Sequence, residues 1–155
     1  MSITVRPARS SDTQTVARLV HALLCELSGS PANSVDIHYL TEAAENLLGQ
    51  DGSVWAFLAV NEEGHPIGVL TLNECAAIYA GGKFGEISEF YVSPESRSVG
   101  VGPQLLEAAV RFGRDRSWNR LEVGAPSMPR WSRTVGFYLS NGFEEVGPRL
   151  RFRLA

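Results

Sequence analysis

Residues 89–106 read EFYVSPESRSVGVGPQLL, and this stretch decides the fold. Its aromatic and apolar opening predicts the end of a strand, and Ser93-Pro94 predicts a turn. An Arg-x-x-Gly-x-Gly loop follows, from Arg97 to Gly102, and leads into a helix. Glycines let backbone N–H groups approach a ligand, and a helix start adds unpaired donors and a positive dipole end. The stretch therefore predicts an anion site, most often one for phosphate.

Two common phosphate-binding loops do not match this stretch. A P-loop places Gly-Lys-Ser/Thr after its glycines, whereas Pro103-Gln104 stands here. A dinucleotide site needs a third glycine where this chain has Leu105. The residues after Gly102 are also too few to build the second half of a dinucleotide-binding fold. The P-loop is excluded, and a dinucleotide site is disfavoured.

Composition places the chain among ordinary globular proteins. It has 155 residues, 44% apolar and 20% charged, which predicts a single domain over residues 1–155. The net charge of −3 disfavours a nucleic-acid partner. No apolar run approaches the roughly 20 residues of a membrane span, and Arg6, Arg9 and Asp12 argue against a signal peptide. We therefore expect a cytoplasmic protein without a membrane partner.

Periodicity and turn signals predict alternating strands and helices along the chain. The expected order is strand 2–6, a helix from 11, helix 37–48, strands 54–60, 67–75 and 85–92, helix 103–118, strand 120–123, helix 133–140, and strands 143–146 and 150–154. Cys25 and Cys75 belong to no Cys-x-x-Cys or Cys/His cluster, and they are expected to be reduced thiols rather than metal ligands. The pattern predicts a mixed α/β sheet with helices on its faces.

Two segments together resemble one family. The pattern FYVxPExRxxGxGxxLL at 90–106 resembles the acetyl-coenzyme A signature of the GNAT acyltransferase superfamily. GFYLSNGFE at 136–144 resembles the Phe-Tyr-x-x-x-Gly-Phe element of the same family. The predicted element order follows the GNAT order over nearly the whole chain. The resemblance implies a mixed, mostly antiparallel central sheet of about seven strands, helices on both faces, and a splayed strand pair that binds coenzyme A.

The resemblance also implies acetyl-CoA as the cosubstrate, with no metal. The pyrophosphate would lie on the backbone of the loop formed by Arg97, Ser98, Val99, Gly100, Val101 and Gly102. The pantetheine arm would pair like an added strand with the backbone near Tyr91 and Val92, where an N–H also faces the thioester oxygen. Pro103, expected at the first helical position, removes one donor from the loop.

Acyl transfer to an amine needs a base, because an alkylamine is mostly protonated at neutral pH. Glu89 is the favoured base and Glu86 the alternative; a third possibility is that both have structural roles. Side-chain alternation predicts that the two carboxylates point to opposite faces of the strand, so that only one enters the active site. By resemblance, Tyr138 is the general acid that protonates the departing thiolate, and the alternative is a core tyrosine.

The resulting hypothesis is an N-acetyltransferase that uses direct attack in a ternary complex. The alternative is a non-catalytic module that binds acyl-CoA as a sensor or scaffold. GNAT members often carry an asparagine shortly after the strand ending near Val123, but residues 124–132 contain none. The acceptor is expected to be a small-molecule or peptide amine that the sequence does not identify, and the family also implies a possible homodimer.

Overall fold

The computed structural model describes residues 2–29, 35–48, 52–124, 131–147 and 149–154. Its strands and helices are, in chain order, β1 Thr4–Pro7, α1 Thr13–Ser28, α2 Ile37–Leu48, β2 Val54–Val60, β3 Pro66–Ala77, β4 Gly82–Val92, α3 Val101–Asp115, β5 Leu121–Val123 and α4 Ser132–Ser140. Short 3-10 turns occupy Ser10–Asp12 and Pro94–Ser96. The chain forms two compact units, Met1–Glu122 and Val123–Ala155.

The strands form one 5-stranded sheet in the order β1-β2-β3-β4-β5. The first four pair antiparallel with their neighbours. About seven strands were predicted, but the described residues of 143–154 contain no strand. Leu150, Phe152 and Leu154 alternate with arginines as in a strand, yet they are 91%, 87% and 94% exposed. Such alternation yields a strand only where a neighbouring strand offers hydrogen-bonding partners.

Helices pack on both faces of the sheet in the first unit. One core lies between the first two helices and the sheet, and it contains Val16, Leu19, Val20, Ala56, Leu58, Val69 and Tyr91. On the opposite face, the ring of Phe112 in α3 lies 5.0 Å from the Trp55 ring and 5.5 Å from the Phe57 ring. Among the described residues, no helix is long and apolar enough to cross a membrane. Cys25 and Cys75 are half-buried and form no disulfide within the described residues.

A β-bulge interrupts the pairing of β3 with β4. Thr71 lies opposite Glu89 and Leu72 lies opposite Ile87, so no residue of β3 is in register with Ser88. The extra residue shifts the side-chain alternation by one position. Glu86 lies opposite Asn73, which is two residues from Thr71 in β3. Glu86 and Glu89 therefore face the same side of the sheet, and the prediction that they point to opposite faces is wrong.

The third helix begins two residues earlier than predicted. Gly100, with φ of 93°, is its N-cap, and Val101 is its first residue. The amide of Gln104 makes the first intrahelical bond, to the Gly100 carbonyl at 3.2 Å. Pro103 is thus the third helical residue rather than the first. Its missing N–H still costs the helix nothing, because the first-turn amides have no intrahelical acceptor.

A glycine in β3 brings this helix start close to the sheet. A Cβ atom on Gly68 would lie 3.0 Å from Leu105 Cδ1 and 3.1 Å from the carbonyl oxygen of Tyr91. A side chain at this position would require these neighbours to shift by a few tenths of an ångström. Glycine therefore permits the close approach of the start of α3 to β3 and to the end of β4.

Candidate active site

The loop between β4 and α3 presents consecutive backbone donors. Ser98 and Gly100 have φ of 67° and 93°, both in the left-handed region. Within the described part of the chain, the amides of Ser98 to Gly102 donate to no backbone carbonyl. Alternating left- and right-handed residues form a concave nest of N–H groups that binds anions. A non-glycine residue in the left-handed region costs about 1 kcal/mol and is typical of ligand-binding loops. The loop has the donors that a diphosphate requires.

Arg97 fixes this loop to the rest of the first unit. Its Nε donates to the Val92 carbonyl at 2.8 Å, and its Nη2 lies 2.6 Å from Glu26 Oε1 in α1. The guanidinium carbon also lies 5.7 Å from the centre of the Tyr91 ring. These contacts tie the loop to the end of β4 and to the first helix. Arg97 is therefore a positioning residue in this structure.

The backbone of Val92 lies at the outer edge of β4, next to the loop. Ser93 donates its N–H to Ile67 of β3 at 2.8 Å. Because N–H directions alternate along a strand, the amide of Val92 points away from β3 and that of Tyr91 points towards it. The contact of Arg97 with the Val92 carbonyl agrees with this direction. Tyr91 also buries its side chain in the core, with 9% exposed.

The last strand leaves this part of the edge uncovered. The Gly85 amide donates to the Arg120 carbonyl at 3.1 Å, which places the start of β5 beside the first half of β4. β5 has 3 residues and β4 has 11. At about 3.3 Å per residue, so short a strand cannot extend from Gly85 to Val92. Within the described residues, β5 therefore does not pair with β4 at Val92.

Thr71 holds the carboxylate of Glu89. The Thr71 hydroxyl donates to Glu89 Oε1 and accepts the Glu89 amide at 2.9 Å. The side chain of Thr71 is only 5% exposed, so water does not compete well for these bonds. Next to this pair, the hydroxyl of Ser88 donates to Asn73 Oδ1 at 2.7 Å. The bulge thus arranges polar groups from two strands on one side of the sheet.

These polar groups form the floor of a cavity of about 350 Å³ in the first unit. Its walls come mainly from α1 and α2. The described residues that line it are Val16, Ala17, Val20, Leu40, Ala43, Ala44, Leu47, Leu48, Val54, Thr71, Asn73, Ser88 and Glu89. A carboxylate at the base of an apolar cavity is suited to binding an amine.

Tyr138 lies in the second unit, in α4. Its side chain is 8% exposed, and burial raises the pKa of its hydroxyl to about 12. Its ring lies 5.7 Å from the Phe137 ring and 5.3 Å from the Phe143 ring. A phenol in this environment keeps its proton throughout the neutral and mildly alkaline range.

The family asparagine that follows the strand ending near Val123 is missing from this sequence. Residues 125–130, which occupy most of that region, lie outside the described residues.

Sequence reasoning missed several residues of this site. Glu26, Thr71 and Asn73 belong to no motif, and they join the site only through packing and strand pairing. A polar residue inside the apolar run IGVLTL was the one available signal for Thr71. No described group of three or more His, Cys, Asp or Glu side chains has the arrangement of a metal site.

Comparisons with known proteins agree with the observed architecture. Residues 20–143 match the profile described as the acetyltransferase (GNAT) family. A search of curated protein sequences finds no match.

Three solved structures illustrate the similarity in fold. A possible acetyltransferase from Clostridium difficile 630 has 17% identity and a TM-score of 0.81, over 100% of this chain and 99% of that one. A ribosomal-protein-alanine N-acetyltransferase from Brucella melitensis biovar Abortus 2308 has 20% identity and a TM-score of 0.72, over 99% and 100%. An aminoglycoside acetyltransferase from an uncultured soil metagenomic sample, in complex with sisomicin, has 17% identity and a TM-score of 0.77, over 99% and 97%. At these identities the likeness concerns the fold alone.

Proposed function

The chain belongs to the GNAT acetyltransferase family, and we propose that it is an N-acetyltransferase that transfers the acetyl group of acetyl-CoA to an amine by direct attack in a ternary complex. The observation that carries this proposal is the row of amides from Ser98 to Gly102, which donate to no described backbone carbonyl, next to the outward-directed amide of Val92 in β4. A diphosphate and an extended pantetheine arm need these two features side by side.

The residues of the loop suit the phosphate end of acetyl-CoA. The amides of Ser98, Val99, Gly100, Val101 and Gly102 would donate to the pyrophosphate in charge-assisted hydrogen bonds. Arg97 would hold the loop through its Nε and Nη2 bonds to Val92 and Glu26, and its remaining N–H groups would donate to phosphate. Pro103 leaves one position of the first helical turn without a donor.

The pantetheine arm would lie along the outer edge of β4. Val92 turns its amide towards that edge, whereas the backbone of Tyr91 faces β3. We therefore assign the edge contact to Val92, and we assign to Tyr91 the packing that supports Arg97. The Val92 amide is also the favoured donor to the thioester oxygen, where negative charge develops during attack.

Glu89 would act as the base. It accepts a proton from the bound ammonium, directly or through water, and the neutral nitrogen then attacks the thioester carbonyl carbon. A C–N bond forms and the carbonyl oxygen becomes an oxyanion. The C=O bond then re-forms as the C–S bond breaks, and the nitrogen loses its extra proton to water, which leaves a neutral amide. Tyr138 would donate its O–H to the departing sulfur, and its burial keeps that donor protonated.

The test is turnover of acetyl-CoA with a broad panel of primary amines, followed by thiol release and by mass spectrometry of the products. Tyr138→Phe and Glu89→Gln are each expected to lower kcat by about 10²- to 10⁴-fold and to leave the Kd for acetyl-CoA unchanged. Tight binding of acetyl-CoA without acetylation of any amine would instead support the sensor or scaffold.

A further inference from the structure

The cavity above Glu89 has apolar walls and little charge. The lining residues from α1, α2 and β2 are all aliphatic: Val16, Ala17, Val20, Leu40, Ala43, Ala44, Leu47, Leu48 and Val54. The exposed acidic residues of α2, Glu42 and Glu45, do not line it. Among the described lining residues, Glu89 carries the only charge. The cavity therefore offers one site for a cation and an apolar surface for everything attached to it.

The neutral polar groups of the floor already bond to one another. The hydroxyl of Thr71 donates to the carboxylate of Glu89, and the hydroxyl of Ser88 donates to Asn73 Oδ1. The amide nitrogen of Asn73 lies 3.2 Å from the sulfur of Cys75. A ligand rich in hydroxyls, amides or further ammonium groups would bury them against aliphatic walls without partners, at a cost of about 1–3 kcal/mol for each neutral group.

The size of the cavity limits the ligand further. A volume of about 350 Å³ is at the small end of ligand pockets. If each non-hydrogen atom takes about the share of a water molecule in the liquid, roughly ten atoms fit. This is enough for an alkyl or arylalkyl chain with one amino group. A three-ring aminoglycoside would extend out of this space into solvent.

From these contacts we infer that the acceptor is a small monoamine whose single ammonium group meets Glu89 and whose alkyl or arylalkyl chain fills the space between the first two helices. This inference rests on the proposed function and names its substrate class. A peptide is disfavoured because each residue would bring a backbone N–H and C=O to walls that offer neither donor nor acceptor.

The first experiment compares amines in two readouts. The kcat/KM for acetylation and the Kd, by isothermal titration into protein saturated with coenzyme A, are measured for propylamine to octylamine, phenethylamine, putrescine, spermidine, kanamycin and a leucine-initiated tetrapeptide. Each methylene that is buried contributes about 0.8 kcal/mol. Both the affinity and kcat/KM are therefore expected to rise about fourfold with each added carbon until the cavity is full. For the polycations and the tetrapeptide, kcat/KM is expected to be at least tenfold lower than for hexylamine.

The two readouts separate the outcomes. The inference is overturned if acetylation is fastest with a polyamine, an aminoglycoside or the peptide, or if its rate does not depend on chain length. The proposed function is not affected by either outcome. Affinity that rises with chain length while no amine is acetylated supports the cavity inference and refutes the proposed function. Affinity that is flat along the alkylamine series overturns the inference whatever the turnover.

A wall substitution gives a second, independent test. Leu47 lines the cavity but is 51% exposed, so Leu47→Glu adds a carboxylate without emptying the core. The kcat/KM for hexylamine is expected to fall about tenfold and that for putrescine to rise. Asn46→Glu adds the same charge to the neighbouring exposed position, which does not line the cavity, and is the matched control. Equal effects of the two variants, with equal melting temperatures, would contradict the assignment of the wall.

Discussion

Replacing Thr71 with valine removes one hydroxyl group from the buried side of β3 and preserves the branched shape of the side chain. In the wild type, this hydroxyl donates to the Glu89 carboxylate and accepts the Glu89 amide at 2.9 Å. Both bonds are lost in the Thr71→Val variant. The carboxylate loses the contact that fixes its direction, and the amide loses its acceptor.

The size of the effect follows from these two bonds. A hydrogen bond to a charged group contributes about 1.5–3 kcal/mol, and 1.36 kcal/mol corresponds to a tenfold change in rate. We therefore expect kcat to fall about 10- to 100-fold if the bond holds Glu89 in its reactive position. The unpaired amide is expected to lower the free energy of unfolding by about 1–2 kcal/mol. The Kd for acetyl-CoA should not change, because Thr71 is not part of the loop.

Steady-state kinetics and urea denaturation together test this reasoning. Thr71→Ser retains the hydroxyl and should restore most of kcat, although it loses a methyl group from the core. Thr41→Val is the control for loss of a hydroxyl alone, since the Thr41 hydroxyl donates only to the Ile37 carbonyl of its own helix. A Thr71→Val variant that loses stability but keeps its kcat would refute the positioning role of Thr71.

Three further predictions concern the loop and the first helix. Pro103→Ala adds a first-turn amide beside the expected pyrophosphate and should lower the Kd for acetyl-CoA by about three- to tenfold in isothermal titration; an unchanged or higher Kd would show that this position does not face the phosphates. Gly100→Ala places a Cβ at φ of 93° and should cost about 1 kcal/mol in urea unfolding and weaken acetyl-CoA binding. A variant as stable as the wild type would contradict the observed backbone conformation. The Arg6 hydrogen bond lowers the pKa of Asp12 from 3.8 to about 2, so its contribution to stability is present above about pH 4 and lost as the pH falls through 2. Asp12→Asn should therefore destabilise the protein at pH 7, and the loss is expected to be only about 1 kcal/mol because solvent screens this partly exposed pair. The difference in stability between the variant and the wild type should shrink between pH 4 and pH 2. A difference that persists unchanged at pH 2 would refute the role of the charge.

Local patterns were sufficient to predict most of the architecture. The order of strands and helices up to the last helix follows from apolar periodicity and from turn residues that lie close together in the chain. The glycines of the loop after β4 were likewise visible in the sequence, because a tight turn into a helix needs them where it occurs. The last two predicted strands show the limit of such patterns, since strand formation depends on a partner edge as well as on alternation.

Only the tertiary structure decided how the site is assembled. The bulge at Ser88 arises in the pairing of Leu72 and Thr71 with residues that lie 15 to 18 positions later, and it brings Glu86 and Glu89 to one face. The pairing of Arg97 with Glu26 spans 71 positions in the chain. The sequence by itself determined which backbone segment presents consecutive amides at a helix start, because that property is local. Which carboxylate, hydroxyl and apolar wall surround the proposed acceptor site depends on contacts between distant segments, and these form only when the sheet and its helices pack together.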